Sequence, residues 1–549
     1  MTRLAHTALL GTVLLQTPML AQDFGDEWLV IGPVGRGGRS AVHTDGIEAR
    51  IVRGSWKSPA AGEELALPGG RKREWKPVRR EKGTVSVPRG GYAWTRLGSK
   101  EPQVVLLTAK GHSMVYVNGT PRAGNPYRAG WYQLPIRLRK GDNEFLFRCG
   151  RGAIQPGLMP VRKPVFFGGK DHTLPDLITA EATDTWLGVV VVNAGTTTLD
   201  GVLLRCRGKA VNPELPPLEV PSLPALSVYK CCVPLRGPAP EEAGESKLTL
   251  CLLRQDSPAI LDELTLSLRV RSRSERHSRT YRSRVDGSAQ YYAVNPPGAA
   301  EQRDSALFLS LHGAGVEARA QARAYSPKSW GHLVAPTNRR PFGFDWEDWG
   351  RRDAMDVLDE ALARYPIDPS RVYLTGHSMG GHGTWHVGAT FPGRFAAIGP
   401  SAGWISFWSY SSGRSYQDPD AVEDILMRAA SQSDTLALRQ NHARHGIYVL
   451  HGEQDRNVPV REARRMKQEL EKFHQDFRYH EQPGAAHWWD GDDEPGAACV
   501  DWPPMFDFFA RHRLPREGEV REVDFTTMNP SISAWCRFAC IAAQERQLA

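Results

Sequence analysis

Hydrophobic and polar positions along this chain follow two rhythms. From Asp23 to about Pro160, short apolar runs are cut by Gly and Pro: WLVIGPV, VVLLTA, MVYVNGT and LPIRLRKGDNEFLFRC. The last of these alternate with period two, which sends successive side chains to opposite faces of a strand. Asn118-Gly119 and Gly141-Asp142 supply turn signals between the strands. The pattern predicts an all-β sandwich over 22–160. A second strand-rich stretch, 161–285, carries WLGVVVVNAG, GVLLRC, SVYKCCVPL and KLTLCLL with almost no helical periodicity. Another sandwich, immunoglobulin-like, is the simplest account of it, and no catalytic cluster is found there.

The rhythm changes near Asp286. Strand-like ALFLSLHG (306–313), HLVAPT (332–337), RVYLTG (371–376), AAIGPSAG (396–403) and IYVLHG (447–452) alternate with helix-like stretches such as MDVLDEALARY and REARRMKQELEKF. Short apolar strands between amphipathic helices predict a mostly parallel sheet with helices on both faces over 286–515. Function in such a sheet sits at the C-terminal ends of its strands. Two more strand patterns, VDFTTMNP and SAWCRFACIAAQ, fall in 516–549. Two strands make no stable domain alone, so this tail is read as a β extension that pairs onto another domain or belongs to something longer.

Composition refines the picture in a few places. The length of 549 residues, at one domain per ~150 residues, asks for three or four domains. The 69 Lys+Arg stand against 61 Asp+Glu, too small an excess for a nucleic-acid partner. One local exception is the run Arg269, Arg271, Arg273, Arg276, Arg279, Arg282 and Arg284, read as a solvated strand face leading into a linker rather than an anionic-surface contact. Residues 1–21, with Arg3, an apolar stretch at Ala8–Leu15, Pro18 and Ala21, read as a signal peptide, which implies export to the periplasm or beyond. No later apolar run is long enough to span a bilayer. The eight cysteines include the adjacent pair Cys231-Cys232 and no CxxC spacing. Their pairing stays open, and neither a structural metal nor a cofactor is expected. His377, His382 and His386 fall in one turn-and-helix stretch, the last two four apart, but no third ligand with matching spacing follows. Asp490, Asp492, Asp493 and Glu494 read as a solvated loop rather than a calcium site.

The chemistry gathers around Gly376-His377-Ser378-Met379-Gly380-Gly381, directly after the strand RVYLTG and before GTWHVGATF. A turn this tight strains the serine and tolerates only small flanking residues. A serine hydroxyl needs a base, and the base an orienting carboxylate. Asp455 in LHGEQDRNVP follows the strand IYVL and is the candidate acid, preferred over Glu453 because Asn-Val-Pro can hold its turn open. His487 in PGAAHWWD is the candidate base, with His480 the fallback. An oxyanion needs two preorganised donors. The backbone N–H of Met379 is one candidate, and Gly313 or Ala314 in His312-Gly313-Ala314-Gly315 supplies the other.

These stretches, together with DGSAQYYAVNPP and DPSRVYLTGHSMGGHGTW, resemble the α/β-hydrolase superfamily. Within it they are similar to the catalytic domain of the prolyl-oligopeptidase (S9) family and to secreted esterases such as polyhydroxybutyrate depolymerases and feruloyl esterases. The resemblance implies an α/β-hydrolase domain with a Ser378–Asp455–His487 triad; with the strand patterns upstream, the expected chain is multidomain, two N-terminal all-β sandwiches and then that domain. True oligopeptidases carry a β-propeller, and no repeat of blade length lies upstream here. The first sandwich resembles galactose-binding-like or PA14-like modules, through Trp28–Val34 and MVYVNG. Such modules often bind sugars, and a spacer or packing role is preferred for this one.

Trp404, Trp408, Trp488 and Trp489 fall in loops on the expected active-site side and are candidate substrate contacts, since aromatic walls suit sugar rings or phenolic acyl groups. Ile405–Asp420 is read as a cap. The reading that follows is an exported serine hydrolase acting on esters of carbohydrates or aromatic acids. A serine peptidase is the alternative, and a carbohydrate-binding protein with an inactive hydrolase domain the second. Its substrate would be a small molecule, a polysaccharide or a peptide.

Overall fold

A computed structural model describes residues 23–516 apart from 37–43, 68–69, 128, 299–303, 408–409, 411–417, 431–433 and 492–494, together with 519 and 526. The segment expected to be a signal peptide, Trp408, most of the expected cap, Asp492–Glu494 and nearly all of the C-terminal tail lie outside the described residues.

Two antiparallel sheets form the first β region. One has six strands, in the spatial order Thr120–Asn125, His112–Val117, Gly141–Cys149, Gly91–Ser99, Glu27–Ile31 and Lys76–Arg79; the other has three, Leu134–Leu138, Gln103–Leu107 and Leu158–Pro160. Trp28, Phe145, Phe147 and Val115 from the first sheet meet Val105, Leu107, Ile136 and Leu138 from the second in one core. The turn between the first two strands is at Asn118-Gly119, both with positive φ (50° and 81°), as a two-residue hairpin with right-handed strand twist requires. One short helix, Gly46–Val52, interrupts the all-β pattern; Asp45 caps it by accepting from the Ile47 and Glu48 N–H groups. The second β region packs a three-stranded sheet centred on Thr183–Asn193 against a five-stranded one that includes Gly244–Arg254 and Ser257–Arg271, with the core between them.

The C-terminal sheet has eight strands: β1 His277–Arg282, β2 Ala289–Asn295, β3 Ser305–Leu311, β4 Gly331–Ala335, β5 Ile367–His377, β6 Ala397–Ser401, β7 Gly446–Gly452 and β8 Phe477–Gln482, in the order β1-β2-β4-β3-β5-β6-β7-β8. The pairs β1–β2 and β2–β4 are antiparallel and the rest parallel. β1 thus lies within the stretch assigned above to the second sandwich, yet it is an edge strand of this sheet. Alternation in the central strands explains the two covered faces. Leu307, Leu309, Leu311, Val372 and Leu374 point to a core shared with helices α2 (Asp348–Arg364), α3 (Met379–Thr390) and α5 (Arg461–Leu470). Ala306, Phe308 and Tyr373 point to the opposite core, shared with α1 (Ala318–Arg323) and α6 (Pro503–Ala510). Another helix, α4, spans Ala421–Ala430. This is the strand order and layering of an α/β-hydrolase domain behind two β regions.

The arginine run is not a free basic surface. Arg269 chelates the buried Asp176 carboxylate with two 2.8 Å bonds, Arg279 grips Glu181 at 2.6 and 2.8 Å, and Arg284 reaches Asp359 at 2.7 Å. Its bidentate pairs suit the planar fork of guanidinium. Six described cysteines (149, 206, 231, 232, 251 and 499) are free thiols. No described helix is long and apolar enough to cross a membrane.

Candidate active site

Strand β5 ends at His377 and helix α3 begins at Met379, so Ser378 is the whole of the turn between them. Its φ of 59° and ψ of −116° lie in territory that L residues avoid, the strain stored at such a turn. The flanking glycines are required by packing. A methyl on Gly376 would meet the Gly380 and Leu311 carbonyls, one on Gly380 the Leu311 carbonyl, and one on Gly381 the Ser401 carbonyl. The Ser378 N–H is anchored to Ser401 O at 2.9 Å, and the residue is half-buried.

The structure brings Ser378, His487 and Asp455 together from three separate loops. Ser378 Oγ lies 2.9 Å from His487 Nε2, and His487 Nδ1 lies 2.6 Å from Asp455 Oδ2. Because the carboxylate accepts the Nδ1 proton, the Nε2 lone pair faces the serine hydroxyl. Asp455 is held in place by its own loop, as Oδ1 accepts from the Asn457 and Val458 N–H groups at 2.8 and 2.9 Å, an Asx turn. Burial alone would raise the Asp455 pKa, but hydrogen bonds from His451, His487 and Val458 outweigh it and hold the carboxyl far below its ordinary range. The rival Glu453 bonds instead to Gly484 N–H at 2.8 Å, and His480 stacks on Trp502 at 4.7 Å.

The loop after β3 approaches the serine closely: a Cβ on Gly313 would sit 3.5 Å from Ser378 Cβ. Two amides in this loop are already committed, Gly315 N–H to Pro341 O and Val316 N–H to Gly313 O. That leaves Gly313 and Ala314 as the loop's candidate donors opposite Met379. Of the tryptophans, Trp488 is half exposed and meets the His377 ring edge-on at 5.2 Å. Trp404 is buried, stacked between His382 (4.7 Å) and Tyr410 (4.9 Å). Trp489 turns to the core on the α6 face. His382 is hydrogen-bonded to Glu347 at 3.0 Å.

Two neighbours have no part in the site as read from the sequence. His451 Nε2 donates to Val458 O at 2.9 Å and lies 3.3 Å from Asp455 Oδ2. Its signal was the spacing, a histidine four residues before the acid at the end of β7. His377, inside the turn motif itself, shares a 3.2 Å hydrogen bond with Ser401 Oγ, packs 4.8 Å from the His487 ring, and has its Nε2 buried without a hydrogen-bond partner. Burial first, and the nearby His487 second, push its pKa down to about 3, so it stands neutral beside the base.

Residues 338–512 match the prolyl oligopeptidase family. The domain therefore has an α/β-hydrolase fold and is similar to that family over this stretch. Among curated proteins, the chain is 29% identical over 226 residues to an uncharacterized secreted protein of Arthroderma benhamiae, covering 37% of this chain and 24% of that one. It is 32% identical over 148 residues to the uncharacterized peptidase YuxL of Bacillus subtilis (26% and 22%). A third relative is a bifunctional acetylxylan esterase/xylanase of Neocallimastix patriciarum, 33% identical over 110 residues (18% and 16%). The chain thus spans about a quarter or less of the length of these relatives.

Proposed function

We propose that this chain is an exported serine hydrolase that cleaves carboxylic esters of carbohydrates or aromatic acids through an acyl-enzyme. The observation that carries this reading is the continuous hydrogen-bonded line from Ser378 Oγ through His487 to Asp455 at a strained strand-to-helix turn. In the first half-reaction Ser378 Oγ bonds to the substrate carbonyl carbon as His487 Nε2 takes the hydroxyl proton. The carbonyl π pair moves onto oxygen, which Met379 N–H and an N–H of Gly313 or Ala314 stabilise. His487 then gives its proton to the leaving oxygen as the tetrahedral centre collapses. Water, deprotonated by His487, repeats the sequence on the acyl-serine and releases the acid. Asp455 keeps the imidazole in the required tautomer and balances the imidazolium charge.

Ester substrates are favoured by the half-exposed Trp488 beside the site, which offers a flat wall to a sugar or phenolic ring, and by the name of the xylan-esterase relative. Export is favoured by the leader-like segment 1–21 and by a relative named as secreted. A peptidase is the second reading, supported by the prolyl oligopeptidase match and the relative named as a peptidase. The test is to assay the purified chain on aryl acetates, feruloylated and acetylated sugars, and short peptides, with a fluorophosphonate probe in parallel. The expected result is ester turnover and probe labelling that vanish in Ser378→Ala. Cleavage of peptides with no turnover of the larger esters would reverse the order of the two readings.

A further inference from the structure

Both β regions converge on one loop of the C-terminal domain, and that loop braces the neighbouring loop that carries the candidate oxyanion amides. The strap 338–346 runs from the end of β4 toward α2 and carries positive φ at Asn338, Arg339, Gly343, Asp345 and Trp346. A segment with so many unfavourable backbone conformations persists only where its surroundings impose them. On its inner side it brackets the oxyanion loop with two bonds: Trp346 Nε1–H donates to His312 O at 3.0 Å, and Pro341 O accepts from Gly315 N–H at 2.8 Å. Gly313 and Ala314 lie between those two anchor points. Gly315 itself is at φ 80°, and the Phe342 ring comes within 3.2 Å of where its Cβ would be.

On its outer side the strap is gripped by residues far away in sequence. Arg340, next to Pro341, makes a two-bonded pair with Asp171 of the second β region at 2.5 and 2.8 Å, and Lys230 lies 3.5 Å from the same carboxylate. The first β region supplies Trp131 under the Arg340 guanidinium (4.7 Å), Tyr127 stacked on Phe342 (6.0 Å) and the Arg151 guanidinium over the same Phe342 ring at 3.4 Å. These contacts place an aromatic and ionic clamp one residue either side of the Pro341 carbonyl.

We infer that the N-terminal β regions set the geometry of the oxyanion hole through the strap, with Asp171 and Tyr127 as positioning residues that act by way of Arg340, Phe342 and Pro341. The inference rests on the serine-hydrolase reading above and gives the β regions a part in transition-state stabilisation rather than in spacing alone. Donor placement matters most when charge has developed on oxygen, and loss of one such donor costs about a hundredfold or more in rate. A displaced donor should therefore lower kcat while leaving ground-state binding largely intact.

The test uses the full chain and two variants that loosen the strap from different β regions, Asp171→Asn and Tyr127→Ala. Ester kcat and KM, the inhibition constant of phenylboronic acid and the thermal midpoint are measured for each. A boronate forms a tetrahedral, anionic adduct on the serine, so its affinity reports the hole directly. The expected result is a fall in kcat of about tenfold or more in each variant, KM within about twofold, and boronate affinity falling in step with kcat. Either variant on its own suffices to decide if the other does not fold. Unchanged kcat, or a loss confined to KM with boronate affinity intact, would overturn the inference. If wild-type protein does not react with the fluorophosphonate, the hydrolase reading fails and this inference with it; a reactive wild type with equally reactive variants removes only this inference.

Discussion

Two groups of histidines lie at opposite ends of helix α3, a half-buried one at the proposed triad and a fully buried one behind it, and their surroundings differ in kind. At its N-terminal end, His487 has a carboxylate on one nitrogen and a hydroxyl on the other. Toward its C-terminal end, His442 packs on Trp385 of α3 at 5.2 Å, with Nδ1 3.0 Å from His445 Nε2, and His474 Nε2 lies 3.0 Å from His445 O. The rear group has no carboxylate among these partners, and both His442 Nε2 and His445 Nδ1 are buried without a partner. Burial, then the neighbouring histidines, hold His442 well below its ordinary pKa and push His445 down to about 3. Abundance of imidazole is not the signal of chemistry; a paired acid, a hydrogen-bonded nucleophile and access are.

The sharpest way to break this comparison is to remove the acid. Asp455→Asn keeps the shape but leaves His487 without an acceptor for its Nδ1 proton, which favours the wrong tautomer. The expected loss is about 10,000-fold in kcat with the thermal midpoint little changed, measured on the best ester with matched far-ultraviolet circular dichroism. A residual activity within tenfold of wild type would mean that His487 is positioned some other way. Substitutions in the rear group, such as His445→Gln, should by contrast change stability and leave the chemistry of the folded protein unaltered.

A smaller effect concerns pH. For His445 the folded pKa, about 3, lies below the reference value of 6.5, so the unfolded chain binds more protons between those limits. Stability is therefore full above about pH 6.5 and falls as the solution is acidified. From pH 6.5 to pH 5 each such histidine costs about 2 kcal/mol. His386 and His377 at about 3, and His112 and His277 at about 4, all lowered first by burial, act with the same sign. Asp353, lifted by burial to about 6, works the other way. Urea midpoints at pH 7.5 and pH 5 should show the fall, and His445→Gln should reduce it; a flat profile would show these histidines to be solvated.

What was legible in the sequence is what local geometry dictates. The turn at Ser378 needs glycines at fixed spacings because backbone passes backbone there, and Asp455 is fixed by amides two and three residues on. The sheet was readable because short apolar strands alternate with amphipathic helices. Pairings across long separations were not. The Arg269–Asp176 and Arg340–Asp171 pairs join residues 93 and 169 positions apart, and nothing in an alternating arginine run distinguishes a solvated face from a set of ion pairs. The helix Gly46–Val52 was missed because it is under two turns long and its cap is a single aspartate. Trp404 and Trp488 look alike in sequence, both in loops after strands, yet one is stacked inside the core and the other half exposed.

The smallest expected effect sharpens the comparison most, because His451 belongs to neither type. It is as buried as the rear histidines, 1% exposed, yet it touches the acid of the front group. Its Nε2 proton goes to Val458 O at 2.9 Å and also faces Asp455 Oδ2 at 3.3 Å, so it helps to keep that carboxylate charged without meeting the substrate. A hydrogen bond to a charged group is worth about 1.5 kcal/mol or more, and the shared geometry here leaves about half of the lower figure for Asp455. His451→Gln, whose amide can still donate to Val458 O, should therefore lower kcat about threefold with KM unchanged. A His451→Leu variant, which leaves Val458 O without its donor, should fall further in kcat and also in thermal midpoint. Equal loss of activity in both variants would place the role of His451 in filling space alone.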